Sequence, residues 1–300
     1  MHNQRGVDRG RINTKRFRVK PGKRFSLADA DPADTAPFGD RRGAAKSLAK
    51  HVHRLFELGE LLYAQNRWSV LFIFQAMDGA GKDSAIKHVL RGLDPKATQV
   101  FGFKTPSQEE LKHDFMWRCL KSLPERGRIG IFNRSYYEDV LVSRVHPELL
   151  QQRQLPASCV TPQIWSERFE DIRSIERYLT RNGTVIRKIF LNVSKTEQRR
   201  RFLVRLHNPE KRWKFSINDV NERLRWKEYM VAYEEAMSAT STDEAPWYVV
   251  PADNKWFTRL AVAAIAIETL ESLELKVPTL SHSDTRALNH ARRRLRFKRK

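Results

Sequence analysis

The residues best equipped for chemistry lie together near position 80: Gln75-Ala76-Met77-Asp78-Gly79-Ala80-Gly81-Lys82-Asp83-Ser84. An apolar run, Phe72-Ile73-Phe74, precedes them and reads as a buried strand. A helix-like segment follows from Lys82 to Leu93. Strand, glycine-bearing turn, lysine and helix make the layout of a phosphate-binding loop. The glycines let backbone N–H groups approach phosphate oxygens, and Lys82 adds a compact positive charge beside the positive end of a helix dipole. The usual pattern is Gly, any four residues, then Gly-Lys-Ser/Thr. Here Ala76 takes the first glycine position and Asp83 the hydroxyl position, with Ser84 one residue late. Asp78 sits inside the loop, where a phosphate chain would repel it. A carboxylate there makes sense if it holds a metal ion or faces an incoming acceptor. The plainer alternative is an ordinary strand-to-helix turn with an exposed lysine.

A second group follows the apolar strand Ile129-Gly130-Ile131-Phe132: Asn133-Arg134-Ser135-Tyr136-Tyr137-Glu138-Asp139. An acid at the end of such a strand commonly helps to hold magnesium. Asn133 is a neutral ligand in that place. Arg134 suits bidentate phosphate contact. Glu138 and Asp139 could hold metal directly or through water. Ser135 and Glu138 could instead form a capping box at a helix start. A third group is the basic helix Lys195–Arg205, with Arg199, Arg200, Arg201 and Arg205, followed by Lys211 and Lys214. It reads as a solvated basic face or as a lid whose arginines neutralise transferring phosphoryl groups.

The elements that must position these groups alternate. Strands are expected at Ser69–Gln75, Gln99–Phe103, Arg128–Phe132, Thr184–Val193 and Trp247–Val250. Helices are expected at Gly43–Gln65, Lys82–Leu93, Gln108–Ser122, Ser135–Val142, Pro162–Asn182, Lys195–His207, Ile217–Ser238 and Trp256–Leu273. In the first helix Leu48, Val52, Leu55, Leu58, Leu61 and Leu62 recur at spacings of three and four, as one buried stripe requires. The alternation predicts an α/β fold, a parallel sheet covered by helices on both faces. Ligands of such folds bind at the carboxyl ends of strands, where Asp78–Lys82 and Asn133–Arg134 both fall. Residues 1–40 read as a basic extended arm, 41–278 as one domain that carries all three groups, with a lid at about 195–220, and 279–300 as a basic tail.

Composition narrows the partners. The chain has 300 residues and a net charge of +21. That charge favours polyanions: nucleic acid, an acidic membrane surface or an inorganic polyanion. The two cysteines, Cys119 and Cys159, have no metal-ligand spacing and read as reduced thiols. No segment has the apolar length of a membrane span. A cytoplasmic protein is expected.

Taken in order, these motifs resemble the family-2 polyphosphate kinases. The resemblance runs from about Ala44 to Leu273. It rests on Met77–Asp83, on Phe103-Lys104-Thr105-Pro106-Ser107, on Phe132–Leu141, on Glu197–Phe202 with Lys211, Trp213 and Lys214, and on Trp247–Asp253. It implies a P-loop kinase fold with a basic helical lid. It implies phosphoryl transfer from inorganic polyphosphate to AMP, ADP or both, yielding ATP, with magnesium (or manganese) in a homo-oligomer, a dimer or tetramer. Asn133 matches the branch that accepts both nucleotides. The roles implied are catalysis by Asp78, Lys82, Arg134 and Asp139, with Asp78 and Asp139 on the metal. Phosphate would be held by Gly79, Ala80, Gly81, Lys82, Asp83, Ser84, Lys104, Arg199, Arg200, Arg201, Arg205, Lys211 and Lys214. Nucleotide would be held by Asp78, Asn133, Arg134, Tyr137 and Glu138. An ATP-dependent nucleotide or small-molecule kinase is one rival. A basic nucleic-acid-binding protein on a degenerate fold is another, without a helix-turn-helix, zinc or RNA-stacking signature to support it.

Overall fold

The computed structural model of the chain describes residues 12–38 and 40–296. The outer part of the expected arm and the last four residues of the tail lie outside them. Five strands, β1 (Ser69–Gln75), β2 (Thr98–Gly102), β3 (Ile129–Asn133), β4 (Thr184–Asn192) and β5 (Trp247–Pro251), form one sheet in the order β2-β3-β1-β4-β5. Every pairing is parallel. The helices in chain order are α1 (Ala44–Gln65), α2 (Lys82–Leu90), α3 (Gln108–Leu111), α4 (Trp117–Leu120), α5 (Glu138–Val145) and α6 (Leu149–Gln152). They continue with α7 (Ile164–Arg181), α8 (Lys195–His207), α9 (Ile217–Leu224), α10 (Trp226–Thr240), α11 (Lys255–Glu271) and α12 (His282–Arg296). Helices α1, α2 and α11 pack with one another, as do α5, α7 and α10, so helical layers flank the sheet.

Every residue of β1 is buried, which explains the unbroken apolar run Val70–Phe74 between its polar ends. Burying each such side chain is worth about 1.5–3 kcal/mol, and a polar substitution there would forfeit it. The register pairs Phe74 of β1 with Asn133 of β3. The segments leaving these two strands therefore emerge side by side at the carboxyl edge of the sheet.

Residues 12–38 are irregular but not detached. Ile12, Phe17 and Val19 are buried, and the Val19 N–H donates to the Trp247 carbonyl at 2.9 Å. Arg18 bridges antiparallel to Tyr248, so this segment covers the β5 edge of the sheet.

Two expected helices are interrupted. Gln108–Ser122 becomes α3 and α4 because the Asp114 side chain accepts from the Met116 N–H at 2.9 Å, a local turn that competes with helix. Ile217–Ser238 becomes α9 and α10, parted at Arg225, whose guanidinium donates to the Val145 carbonyl. A capping box does form, at Ser107 and Glu110 before α3. None forms at Ser135: its hydroxyl accepts from the Tyr137 N–H, and Glu138 turns to Arg134 instead.

Candidate active site

The turn after β1 has left-handed backbone at Gly79 (φ 83°) and Gly81 (φ 105°). Gly79 is doubly required. A Cβ there would stand 2.8 Å from Phe202 Cε1 and 3.2 Å from Gln198 Cγ, because α8 lies directly on the loop. The α8 start is fixed by Ser194, whose hydroxyl caps the Glu197 N–H at 3.1 Å. Gln198 Nε2 then donates to the Asp78 carbonyl at 2.7 Å.

Arg201 completes the attachment. Its Nη1 donates to the Gly79 and Ala80 carbonyls at 3.1 and 2.6 Å. Its Nη2 donates to Ala252 and Asp253 carbonyls at 2.6 and 3.0 Å, and its Nε to Glu197 at 2.8 Å. All of the donor capacity of a guanidinium is thereby used. Arg201 is buried and clamps the loop to the end of β5; its engaged donors do not face a phosphate channel as expected.

Lys82 opens α2. Its Nζ donates to the Ala76 carbonyl at 2.7 Å and stands 3.9 Å from Asp78 Oδ1. Burial depresses the Lys82 amine, with Asp78 opposing that shift. Arg134 is the centre of the cluster. Its Nη2 donates to Asp78 at 2.7 Å and its Nη1 to Glu138 at 3.0 Å. Glu138 foremost, then Asp78, raise the guanidinium further against the effect of burial. Arg134 adopts φ 67°, a left-handed conformation that costs a non-glycine residue roughly 1–2 kcal/mol. Its N–H donates to the Phe74 carbonyl, so the sheet itself holds the strained residue beside the loop. Burial works against ionisation of Asp78, but Lys82, Arg134 and Arg205 outweigh it and hold the carboxyl below its ordinary value.

Other expected contacts divide. Asn133 Nδ2 donates to Asp83 Oδ1 at 2.6 Å, tying the ends of β3 and the loop together. Ser84 accepts from Arg259 at 3.0 Å. Arg205 reaches Asp219 at 3.3 Å. Arg200 is paired with Glu197 on the surface. Arg199, Lys104, Lys211 and Lys214 are exposed, with Lys214 set 4.9 Å from the Trp213 ring.

Two expected site residues are core residues. Asp139 is 0 % exposed and is bound by Arg153 at 2.5 Å, with Arg168 at 4.0 Å. Burial raises its carboxyl, opposed by those arginines. This pairing ties α5 to Arg153 and to α7, and it displaces Asp139 from the metal and catalytic roles. Tyr137 is also 0 % exposed. Its hydroxyl bonds Glu176 and Thr240, each at 2.9 Å. It belongs to a buried network with Tyr136 and the Glu176–Lys188 pair, and it offers no surface to a nucleotide.

Sequence reasoning missed Asp219 and Gln198. Asp219 is burdened by burial and by the charge of Asp78, which together raise its carboxyl, while Arg205 pulls the other way. Its place near Asp78 follows from α9 folding back against α8, where Arg223 donates to the Lys195 carbonyl and to Gln198 Oε1 at 2.7 and 2.8 Å, which no local pattern announces. Gln198 had one signal, its place three residues before Arg201 in the basic helix.

The oxygen donors that remain are hard ligands suited to magnesium: Asp78, with Glu138 beside it. Among the described residues no group of three or more His, Cys, Asp or Glu is placed to hold a metal ion. A magnesium ion here would therefore share its coordination with substrate phosphates, as is usual for that ion.

Residues 39–278 match the family model described as polyphosphate kinase 2. An ADP-polyphosphate phosphotransferase of Rhodopseudomonas palustris is 48% identical over 287 residues, covering 95% of this chain and 99% of that protein. An AMP/ADP-polyphosphate phosphotransferase of Meiothermus ruber is 44% identical over 265 residues, covering 88% and 95%. The crystal structure of polyphosphate kinase 2 from Arthrobacter aurescens superposes with a TM-score of 0.82 at 40% identity, covering 92% of this chain and 96% of that one. By the family model and by these relatives, the chain belongs to the polyphosphate kinase 2 family.

Proposed function

We propose that the chain transfers phosphoryl groups from inorganic polyphosphate to AMP and to ADP. One observation carries the reading: Arg134, held in a strained conformation, joins Glu138 to Asp78 of the loop, which itself stands beside Lys82. Such an arrangement gathers the charges that phosphoryl transfer needs before substrate arrives. The relatives named for ADP and for AMP/ADP support the acceptor class.

In this reading loop amides, the α2 N-terminus and Lys82 hold the terminal phosphates of the donor. Asp78, kept ionised by Lys82, Arg134 and Arg205, orients the acceptor phosphate, whose attacking oxygen is already deprotonated near neutral pH. An acceptor oxygen forms a bond to the terminal phosphorus, and the P–O–P bridge to the rest of the chain breaks. The bonding pair leaves with the bridging oxygen, so the donor departs one phosphate shorter. Arg134 and Arg205 neutralise charge on the transferring group, trading carboxylate partners for phosphate oxygens. Magnesium, held by Asp78 with help from Glu138, supplies further charge neutralisation when bound. Positioning and charge account for most of the rate, since the transition state is loose. The neutral Asn133, tied to Asp83, supports acceptance of both AMP and ADP. Cytoplasmic location and a homo-oligomeric state belong to the same proposal; among the described residues no helix is long and apolar enough to cross a membrane.

The test is a time course with purified protein, magnesium, long-chain polyphosphate and AMP, with nucleotides resolved. ADP should appear first and ATP after it, with no ATP added. ADP without ATP would remove the second acceptor. Turnover only when ATP replaces polyphosphate as donor would select the ATP-dependent kinase instead.

A further inference from the structure

The family match ends at residue 278. After α11 the backbone is irregular from 275 to 281, and then α12 begins at His282. Arg286, Arg292, Arg293 and Arg294 lie in α12 against a single acid, Asp284. All the described side chains of this helix are exposed, and none of those four arginines is in an ion pair among the described residues. Helix α7 shows what an ordinary solvated face looks like in this chain. There the exposed Glu167, Glu170 and Asp171 balance the exposed Arg173, Arg177 and Arg181. Helix α12 lacks that balance. Helical spacing sets Arg286 and Arg293 on one side and Leu288, Ala291 and Leu295 on the other.

We propose that α12 is an accessory polyanion site that grips a distal stretch of a long polyphosphate chain while the chain end occupies the Lys82 loop. The proposal rests on polyphosphate being the donor. A donor longer than the loop can accommodate projects from the site as a linear polyanion. Arginines without local carboxylates offer it unspent bidentate donors. Linking two grips on one chain makes the second intramolecular and raises apparent affinity without changing the chemistry. The other occupants fit less well. The apolar side offers only two large side chains, Leu288 and Leu295, and no aromatic residue, too little for a helix lying in a lipid surface. The helix has no Phe, Tyr or Trp to serve as a platform for bases. Two copies pairing through that apolar side would set Arg292, which borders Leu288, along the seam with Asp284 the single acid of the helix, which is repulsive.

The experiment compares wild type with a full-length variant carrying Arg286→Gln, Arg292→Gln, Arg293→Gln and Arg294→Gln, since glutamine preserves helix propensity. Steady-state kinetics are measured with ADP and either a short oligophosphate or long-chain polyphosphate. The expected result is a KM for long-chain donor raised about tenfold, with kcat unchanged for both donors and KM unchanged for the short one. The salt dependence of the long-chain KM should also flatten. An unchanged long-chain KM, or an equal rise for both donors, overturns the proposal. So does a variant whose only defect is binding to anionic vesicles, binding to RNA, or assembly by light scattering. Normal short-donor turnover without a length effect sinks the helix proposal alone. No turnover with any polyphosphate by wild type sinks the donor assignment, and this proposal with it.

Discussion

The segment Asn133–Asp139 feeds two charged clusters with opposite designs. Toward the loop, Arg134 and Glu138 join Asp78 and Lys82, partly open to solvent. Toward the core, Tyr136, Tyr137 and Asp139 join Glu176, Lys188, Arg153 and Arg168, sealed from solvent. In the core network Lys188 Nζ meets both Glu176 and the Thr240 carbonyl, at 2.5 and 2.7 Å. Trp247 Nε1 donates to Thr240 at 2.9 Å. Most of its polar atoms are consumed by one another, as burial demands, with Asp139 Oδ2 the buried oxygen left without a hydrogen-bond partner. The loop cluster keeps a strained backbone and carboxylates that a phosphate could replace. Charge alone therefore does not mark a working residue. What marks it is charge whose partners can be exchanged.

This contrast can be broken most sharply at Lys82. Lys82→Ala should cut polyphosphate-driven turnover on the order of a hundredfold to a thousandfold or more, with thermal unfolding little changed. Near-normal turnover would detach the loop from the chemistry.

Asp139 should behave in the opposite way. Asp139→Asn leaves Arg153 buried beside a neutral group, and breaking such a pair costs about 3–5 kcal/mol. The expected result is a lowered Tm, with turnover per folded molecule retained. Lost turnover at unchanged Tm would return Asp139 to the active site.

Arg201 lies between the two designs, since it is buried yet touches the loop. Arg201→Lys keeps the charge but cannot reach all of its carbonyl partners. Loosening the loop should lower kcat about ten- to a hundredfold and leave nucleotide KM nearly unchanged. A rise confined to polyphosphate KM would mean that Arg201 contacts donor after all.

The smallest effect concerns pH. The Asp78 carboxyl lies below its ordinary value in the folded protein, through Lys82, Arg134 and Arg205 working against burial. Its ion pairs therefore stabilise the fold fully above the unfolded pKa of about 4, and that contribution fades as pH falls through the lowered folded value. The Tm difference between wild type and Asp78→Asn should shrink on acidification through this range. A difference that grows instead would mean that the Asp78 carboxyl is destabilising in the native fold.

Much of this arrangement was legible in the sequence where local rules decide. Residues of β1 and α8 fall at the expected positions, Ser69–Gln75 and Lys195–His207, because a sealed apolar strand and a capped helix are locally encoded. The loop was legible from its glycines and lysine. The fate of each side chain after Phe132 was not. Arg134 leaves the helical and extended regions, so periodicity gives no guide to which neighbour turns inward. The partners that claim Asp139 and Tyr137 are distant in sequence, Arg153, Arg168 and Glu176. The clamp role of Arg201 depends on carbonyls of Ala252 and Asp253 after β5, brought near only by the sheet. Asp219 was hidden for the same reason.

The account turns on Asp78, an acid placed among groups that bind polyanions. Turnover and polyphosphate affinity measured together on Asp78→Asn test it most directly. The account predicts that turnover collapses while polyphosphate binding holds or tightens, since a repelling charge has been removed but the acceptor has lost its guide. Preserved turnover with tighter binding would show that Asp78 is only tolerated in the loop, and would contradict the mechanism proposed for this site.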